Sequence, residues 1–164
     1  MDKKKINLMI GILAFLANGD NYAESPLLGN IASDLGITVS QASISVTAYM
    51  MTFGLFTIIV GPLGDKYGKT KVINIAAFGT AIFSMLGAVV FSLQSLILLR
   101  AVNGAFGAGI FPVTMALVGE NSDDSNRQKS IGKIMGLMFL GGASATLIGG
   151  AFAYFGSWRM VYYA

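Results

Sequence analysis

The chain has 164 residues, of which 54% are hydrophobic and 12% are charged. Soluble domains carry about 25% charged residues, so the composition indicates a membrane protein, and the 21 glycines favour helices that pack closely in a bilayer. The net charge is +3 and the chain has no Cys and no His, which excludes disulfides, thiolate zinc sites, cysteine nucleophiles and any Ser-His-Asp triad. We therefore expect neither a metal site nor a cofactor.

Uncharged blocks near membrane-spanning length follow one another along the chain. About 20 apolar residues at a rise of 1.5 Å cross the ~30 Å hydrocarbon core, and a helix satisfies its own backbone groups in lipid. We predict an all-α integral membrane bundle in which residues 1–164 form an amino-terminal transmembrane unit, the front piece of a longer protein. Its predicted helices are approximately 6–28, 43–62, 72–91, 95–118 and 130–155, and a sixth begins at 160–164.

The basic residues are distributed unequally between the two ends of the predicted spans. Nine of the 11 fall at one end: Lys3, Lys4, Lys5, Lys66, Lys69, Lys71, Arg127, Lys129 and Lys133. The loops at the other end, around Asp34 and Gln94, contain none. Because cytoplasmic loops are enriched in Lys and Arg, we expect an integral protein of a bacterial plasma membrane with a cytoplasmic N-terminus. A cleaved signal peptide is the alternative, although a small-x-small cleavage site is missing.

Three ionisable residues lie inside predicted spans: Asp20, Glu24 and Arg100. A charge at a helix centre costs about 2.5–3.5 kcal/mol on insertion scales, so such residues usually face a polar cavity. From the helical rise, Asp20 lies about 9 Å below the outer face and Arg100 about 6–8 Å below it. Glu24 lies a turn nearer the edge, where it either joins Asp20 and Arg100 as a third residue for proton or substrate coupling or reaches interfacial water. The Asp20–Arg100 pair is either a protonatable site in a solute pathway or a static ion pair between helices 1 and 4.

The loop between helices 2 and 3 reads Gly61-Pro-Leu-Gly-Asp-Lys-Tyr-Gly-Lys-Thr-Lys71. It closely resembles the signature that the major facilitator superfamily carries at this place. The defining positions are filled by Gly61, Asp65, Gly68, Lys69 and Lys71. Gly61 and Gly68 would allow a tight turn and a close helix approach, and Asp65 could cap the loop or bind its basic residues. The resemblance implies that this loop is a cytoplasmic gate that latches against the other half of the transporter.

Two further segments resemble signatures of the same family. Arg100, Asn103 and Gly104 resemble the helix-4 signature, with Asn103 in place of the usual Gln, and the family associates this Arg with proton coupling. Asp20 resembles the acidic helix-1 position of its drug-exporting branches. Helix 5 resembles the antiporter signature through four glycines, although Ala145-Thr146 replaces the usual central Gly-Pro and puts the helix kink in doubt. The four are Gly132, Gly141, Gly149 and Gly150.

The resemblance covers the whole chain and implies the amino-terminal bundle of a 12- or 14-span secondary transporter, which is not an enzyme. We expect export of small, lipophilic molecules by alternating access, coupled to protons. The implied partners are a small-molecule substrate, protons, the lipid bilayer and the carboxy-terminal half of the chain. The short basic runs between apolar blocks do not indicate nucleic acid.

Two alternatives stay open at this point. The first keeps the fold but transports a sugar, an amino acid or another metabolite. The second is a non-transporting membrane subunit or sensor. Asp20 and Arg100 argue against the second, because a scaffold has no need of costly charges inside the membrane.

Overall fold

The computed structural model describes residues 3–121, 124–155 and 158–163, and every regular element in those ranges is helical. The all-α prediction is therefore confirmed. The α-helices are α1 Lys3–Ala23, α2 Leu28–Leu35, α3 Val39–Tyr67, α4 Lys69–Gly87, α5 Leu93–Gly107, α6 Phe111–Asn121 and α7 Asp124–Phe155. Two 3-10 segments, Ser25–Leu27 and Trp158–Tyr163, complete the described chain.

Four helical stretches of the described chain are long and apolar enough to cross a membrane: Val39–Tyr67, Lys69–Gly87, Leu93–Glu120 and Arg127–Phe155. Helix α1 is not among them, because the polar residues Asn18, Asp20 and Asn21 lie near its end. It nevertheless packs along α7, as α3 packs along α5. Many large apolar side chains point outward, including Ile58 at 75% and Leu147 at 76% exposure, as expected of surfaces that face lipid.

Two predicted helices are interrupted. The helix predicted at 6–28 ends at Ala23 and continues as a 3-10 turn and α2, because Pro26 disfavours α-helical backbone in the residue before it. The helix predicted at 95–118 is divided by a turn at 108–110. Pro112 follows this turn and has no N–H to give to a preceding carbonyl. In the turn, Gly109 and Ile110 donate instead to the carbonyls three residues earlier, at 2.9 and 3.1 Å.

The other predicted boundaries are shifted. The helix predicted at 43–62 runs over Val39–Tyr67, because Pro62 does not end it; Gly68 does, in a left-handed conformation with φ of 94°. The helix predicted at 72–91 is α4, and the one predicted at 130–155 already begins at Asp124. Of the sixth span predicted to begin at 160–164, residue 164 lies outside the described residues, and the described part is 3-10 rather than α.

Polar residues fix where two of the spans begin. Gln41 N donates to Thr38 Oγ1 at 3.1 Å while Thr38 N donates to Gln41 Oε1 at 2.9 Å, a reciprocal capping box for α3. Ser92 and Ser95 form the same arrangement at the start of α5. These caps satisfy backbone N–H groups that a helix leaves unpaired at its start.

Beyond these caps, α2 and the last 3-10 segment close the end of the bundle that lies away from the gate loop. Trp158 Nε1 donates to Asp34 Oδ2 at 3.2 Å, and Arg159 donates both to that carboxylate and, at 3.0 Å, to the Val90 carbonyl. We name Asp34, Val90, Trp158 and Arg159 the outer clasp. The Arg159 hydrogen bond holds the pKa of Asp34 below its ordinary value of 3.8. The clasp therefore joins α2 to the chain that follows α4 and α7.

Candidate functional site

Helices α1 and α5 bring Asp20, Glu24 and Arg100 together, and we name these three residues the charged cluster. Arg100 is 2% exposed. Its Nε lies 2.6 Å from Glu24 Oε2, and its Nη1 lies 4.0 Å from Asp20 Oδ2. The contact with Glu24 is close but not aligned for a hydrogen bond, and no nitrogen of Arg100 has an aligned acceptor within the described chain. The guanidinium is thus held by its ion pair with Glu24.

Glu24 is more central than the sequence predicted. It is 1% exposed, so the alternative that it reaches interfacial water is wrong, and it rather than Asp20 is the carboxylate nearest to Arg100. The physical reason is the interruption before Pro26, which places Glu24 at the start of the 3-10 turn instead of on the outer face of a continuing helix. Ser45 Oγ lies 2.7 Å from Glu24 Oε1 and 2.6 Å from the Ala42 carbonyl.

Asp20 lies at a different kind of position within the cluster. Asn103 Nδ2 donates to its Oδ2 at 3.0 Å, and Ser84 Oγ donates to its Oδ1. Its side chain is 15% exposed and borders a cavity of about 510 Å³ between α1, α4 and α7. The cavity also touches Thr80 and Tyr162, whose hydroxyls have no hydrogen-bond partner in the described chain. Asp20 is therefore the carboxylate of the cluster that borders open space.

Two functional candidates were missed from the sequence. The Tyr49 ring lies under the Arg100 guanidinium with 4.4 Å between Cζ and the ring centroid, a cation–π geometry, and Tyr49 is 1% exposed. Ser84 is the second, through its bond to Asp20. The only available signal was their chemistry, a hydroxyl inside a lipid-length apolar block, which many structural residues share. Asn103 was predicted from the signature alone, and the structure adds its bond to Asp20.

The gate loop forms a second set of charges, at the other end of α5–α6. Lys69 Nζ lies 2.7 Å from Asp65 Oδ1 and 2.8 Å from Glu120 Oε1, so Asp65 does bind a basic residue of the loop. Gly68 has the positive φ that the turn requires. Gly61 does not mediate the expected close helix approach, because a Cβ there would meet nothing within 4 Å. Gly64 makes that approach instead, with Val113 Cγ1 3.2 Å from an added Cβ.

The four glycines of the helix-5 signature fall into two pairs. A Cβ on Gly141 would overlap the Phe15 carbonyl, and one on Gly149 would lie 2.9 Å from the Ala23 carbonyl, so both are needed where α1 meets α7. Gly132 and Gly150 have open space around them, and their signature spacing has no packing role in the described chain.

In the helix-4 signature, Gly104 allows a close helix contact, as Gly141 and Gly149 do in α7. A Cβ on Gly104 would overlap the Tyr49 carbonyl of α3. Thr52 Oγ1 reinforces this contact by approaching the Ala101 carbonyl at 2.7 Å. This close packing of α3 on α5 keeps the Tyr49 ring against Arg100.

An integral membrane bundle with a buried arginine between two carboxylates is typical of membrane transporters. The model of the Major Facilitator Superfamily matches residues 10–164, and the chain belongs to this superfamily. It is a family of transporters and not of enzymes. The resemblance found in the sequence is thereby confirmed.

Individual relatives agree with this assignment. The chain is 28% identical over 138 residues to the puromycin resistance protein pur8 of Streptomyces alboniger, covering 83% of this chain and 27% of that protein. It is 27% identical over 139 residues to the inner membrane transport protein YnfM of Escherichia coli (strain K12), covering 85% and 33%. It is 28% identical over 163 residues to the efflux pump FUBT of Fusarium oxysporum, covering 98% and 27%. The chain thus spans about a third of the length of these relatives.

The fold also matches a solved structure. A bacterial homolog to the human lysosomal transporter Spinster, in an inward-facing and unoccupied conformation, aligns with a TM-score of 0.83. The alignment covers 93% of this chain and 33% of that one at 18% identity, which shows a shared fold.

Proposed function

We propose that this chain belongs to a secondary active transporter of the plasma membrane that exports small molecules by alternating access in exchange for protons. The observation that carries the proposal is the charged cluster, in which one buried arginine stands between two carboxylates. Burying an arginine together with its carboxylates is costly, because each ion loses its hydration. Such a group is expected where a proton, a solute or a conformational change uses it.

The charge count of the cluster suggests the coupling step. With all three groups ionised, the charged cluster carries one negative charge, and binding a single proton brings it to zero. Closing the site from water penalises the uncompensated charge and so favours proton uptake. Opening the site to water favours release of the proton. Asp20 is the proposed proton carrier because it borders the cavity, while Glu24 remains with Arg100.

Export is supported by the names of the relatives, which include a puromycin resistance protein and an efflux pump. The expected cytoplasmic gate fits the Asp65–Lys69–Glu120 contacts, which tie the start of α4 to α6. In the proposed cycle, these contacts hold the gate loop while the carboxy-terminal half of the transporter moves against it.

The test is efflux by the full-length protein in vesicles with an imposed pH gradient, with puromycin as the probe substrate. We expect Asp20→Asn to abolish gradient-driven efflux while substrate exchange without a gradient persists. Full gradient-driven efflux by Asp20→Asn would remove Asp20 as the carrier. Glu24→Gln at matched protein level is the comparison variant, since it removes the same charge from the partner of Arg100. Absence of puromycin exchange in the unsubstituted protein would contradict the proposed substrate class.

A further inference from the structure

A groove of about 690 Å³ runs between α3 and α4, with α5 as its floor, and it is separate from the charged cluster. Along α3 it extends from Thr52, near the middle of that helix, to Tyr67 at its end. The 15 steps between them correspond to ~22 Å at 1.5 Å per residue. Half of the hydrocarbon core of a bilayer is ~15 Å thick. With the middle of α3 at the bilayer centre, the groove would cross the hydrocarbon half of one leaflet and reach the headgroup region beside the gate loop.

The wall of this groove is suited to hydrocarbon and not to a polar solute. Apart from Thr52, Tyr67 and Lys71, every lining residue is apolar, with Phe56 on the α3 wall and Ile75 on the α4 wall. Thr52 lies at the deep end, and its hydroxyl is engaged with backbone carbonyls, including that of Ala101 at 2.7 Å. No free polar group is therefore offered to a ligand at the deep end.

The mouth of the groove has the opposite character. Lys71 lies there beside Tyr67, and the Lys66 ammonium stands 5.1 Å from the centre of the Tyr67 ring. Lys69 is engaged by two carboxylates, whereas Lys71 is exposed and has no carboxylate within 4.0 Å in the described part of the chain. A tyrosine with lysines at the end of a span is typical of the membrane–water interface. The mouth is thus positive at the depth of lipid headgroups.

We propose that this groove binds an anionic phospholipid, with one acyl chain between α3 and α4 and the phosphate at Lys71. The length of the groove, its apolar wall and the lysine at its mouth all favour an anionic phospholipid. A hydrocarbon chain fills a single-leaflet groove, and a phosphate complements the cation at its mouth. The cytoplasmic leaflet is rich in anionic lipids, so the predicted topology presents the site to the leaflet that contains the ligand. The proposal does not depend on the transport reaction proposed above.

Lipid binding is measured by fluorescence quenching in the full-length protein, reconstituted in phosphatidylcholine nanodiscs. Ile75→Trp places a reporter in the groove, and Phe78→Trp places a control on the same helix, ~4.5 Å away in depth and outside the groove lining. Nanodiscs contain a small fraction of phosphatidylglycerol or phosphatidylcholine with dibrominated acyl chains. Fluorescence of the unsubstituted protein is subtracted.

At the Ile75→Trp reporter, we expect the binding affinity obtained from quenching to be about fivefold higher for brominated phosphatidylglycerol than for brominated phosphatidylcholine. This is the preference that one lysine near an anionic headgroup provides. The Phe78→Trp control should show no such preference. Lys71→Gln should abolish the preference at the reporter, whereas Lys129→Gln, which removes an equal charge from α7, should retain it. Phe56→Trp, on the opposite wall, gives an independent reporter if Ile75→Trp does not fold.

Three results would overturn the proposal. Equal quenching by the two lipids at both groove reporters would mean ordinary surrounding lipid. Quenching at both groove reporters that is weaker than at Phe78→Trp would mean that another part of the full-length protein covers the groove. A phosphatidylglycerol preference that survives Lys71→Gln would remove this residue as the headgroup contact.

Discussion

The charged cluster and the gate loop both set one basic side chain between two carboxylates. In the cluster, Arg100 and Glu24 are 2% and 1% exposed. In the gate loop, the two carboxylates that hold Lys69 are 70% and 61% exposed. The number of charges is the same, but water screens the carboxylates of the second set much more strongly. In a buried triplet, the free energy of unfolding and the uptake of a proton both depend on the net charge of the three groups. An exposed triplet is a contact that can form and break at little cost in free energy.

The largest effect that separates the two triplets is expected from removing the cation. Arg100→Ala leaves two carboxylates near each other in a buried site and should lower the free energy of unfolding by about 3–5 kcal/mol. Lys69→Ala, the matched change in the gate loop, should lower it far less, because water screens the exposed carboxylates that hold Lys69. Denaturant unfolding of the full-length protein in detergent measures both. Equal losses in the two variants would show that burial does not distinguish the triplets.

A smaller effect is expected from removing the carboxylates of the charged cluster one at a time. Glu24→Gln removes the group 2.6 Å from Arg100, whereas Asp20→Asn removes the one 4.0 Å away. We expect Glu24→Gln to cost about 1–3 kcal/mol of unfolding free energy, the range for a buried polar group that loses its partner. Asp20→Asn should cost less, since the closer pair is intact. The reverse order in the same unfolding assay would make Asp20 the structural partner of Arg100.

In the exposed triplet, a change should affect transport more than stability. Asp65→Asn removes one of the two carboxylates that hold Lys69, and the unfolding free energy should change by less than about 1 kcal/mol. We expect it to impair the initial rate of efflux at normal expression, because the loop is proposed to act as a gate. A normal rate would mean that Asp65 serves only the topology of the chain.

The outer clasp should show the smallest effect, and only at acid pH. The Arg159 hydrogen bond lowers the pKa of Asp34 below its ordinary 3.8, so the clasp is fully formed above that pH and is lost as the pH falls through the lowered value. Melting temperatures of the wild type should exceed those of Asp34→Asn at pH 6, and the two should converge at strongly acid pH. A constant difference across the titration would contradict this account.

Much of the fold follows from features that the sequence states directly. Uncharged blocks of spanning length define α3, α4 and α7, and the gate-loop motif places Asp65 and Lys69 correctly beside each other. The estimated depths of Asp20 and Arg100 in the membrane also predicted that they lie at the same level, because helical rise converts sequence position into distance from the membrane face.

What the sequence did not reveal depends on backbone interruptions and on which face a side chain takes. A continuous helix would have placed Glu24 near water; the break before Pro26 turns it inward. The rotation of α3 and α4 that brings Tyr49 and Ser84 to the cluster is set by packing at small residues such as Gly104. A motif fixes spacing along the chain, so it could not tell that Gly61 has open space while Gly64 has a neighbour.

The turn at 108–110 has a mechanical consequence. Arg100 and Glu120 belong to the same span but lie on opposite sides of this turn. A continuous rod would transmit any tilt of one end to the other, whereas a jointed one bends where backbone hydrogen bonds are interrupted. In the proposed transport cycle, a displacement passed from Lys69 to Glu120 would bend the span at this turn before it reached Arg100. The span thus consists of two helical segments that are joined at a flexion point, residues 108–110.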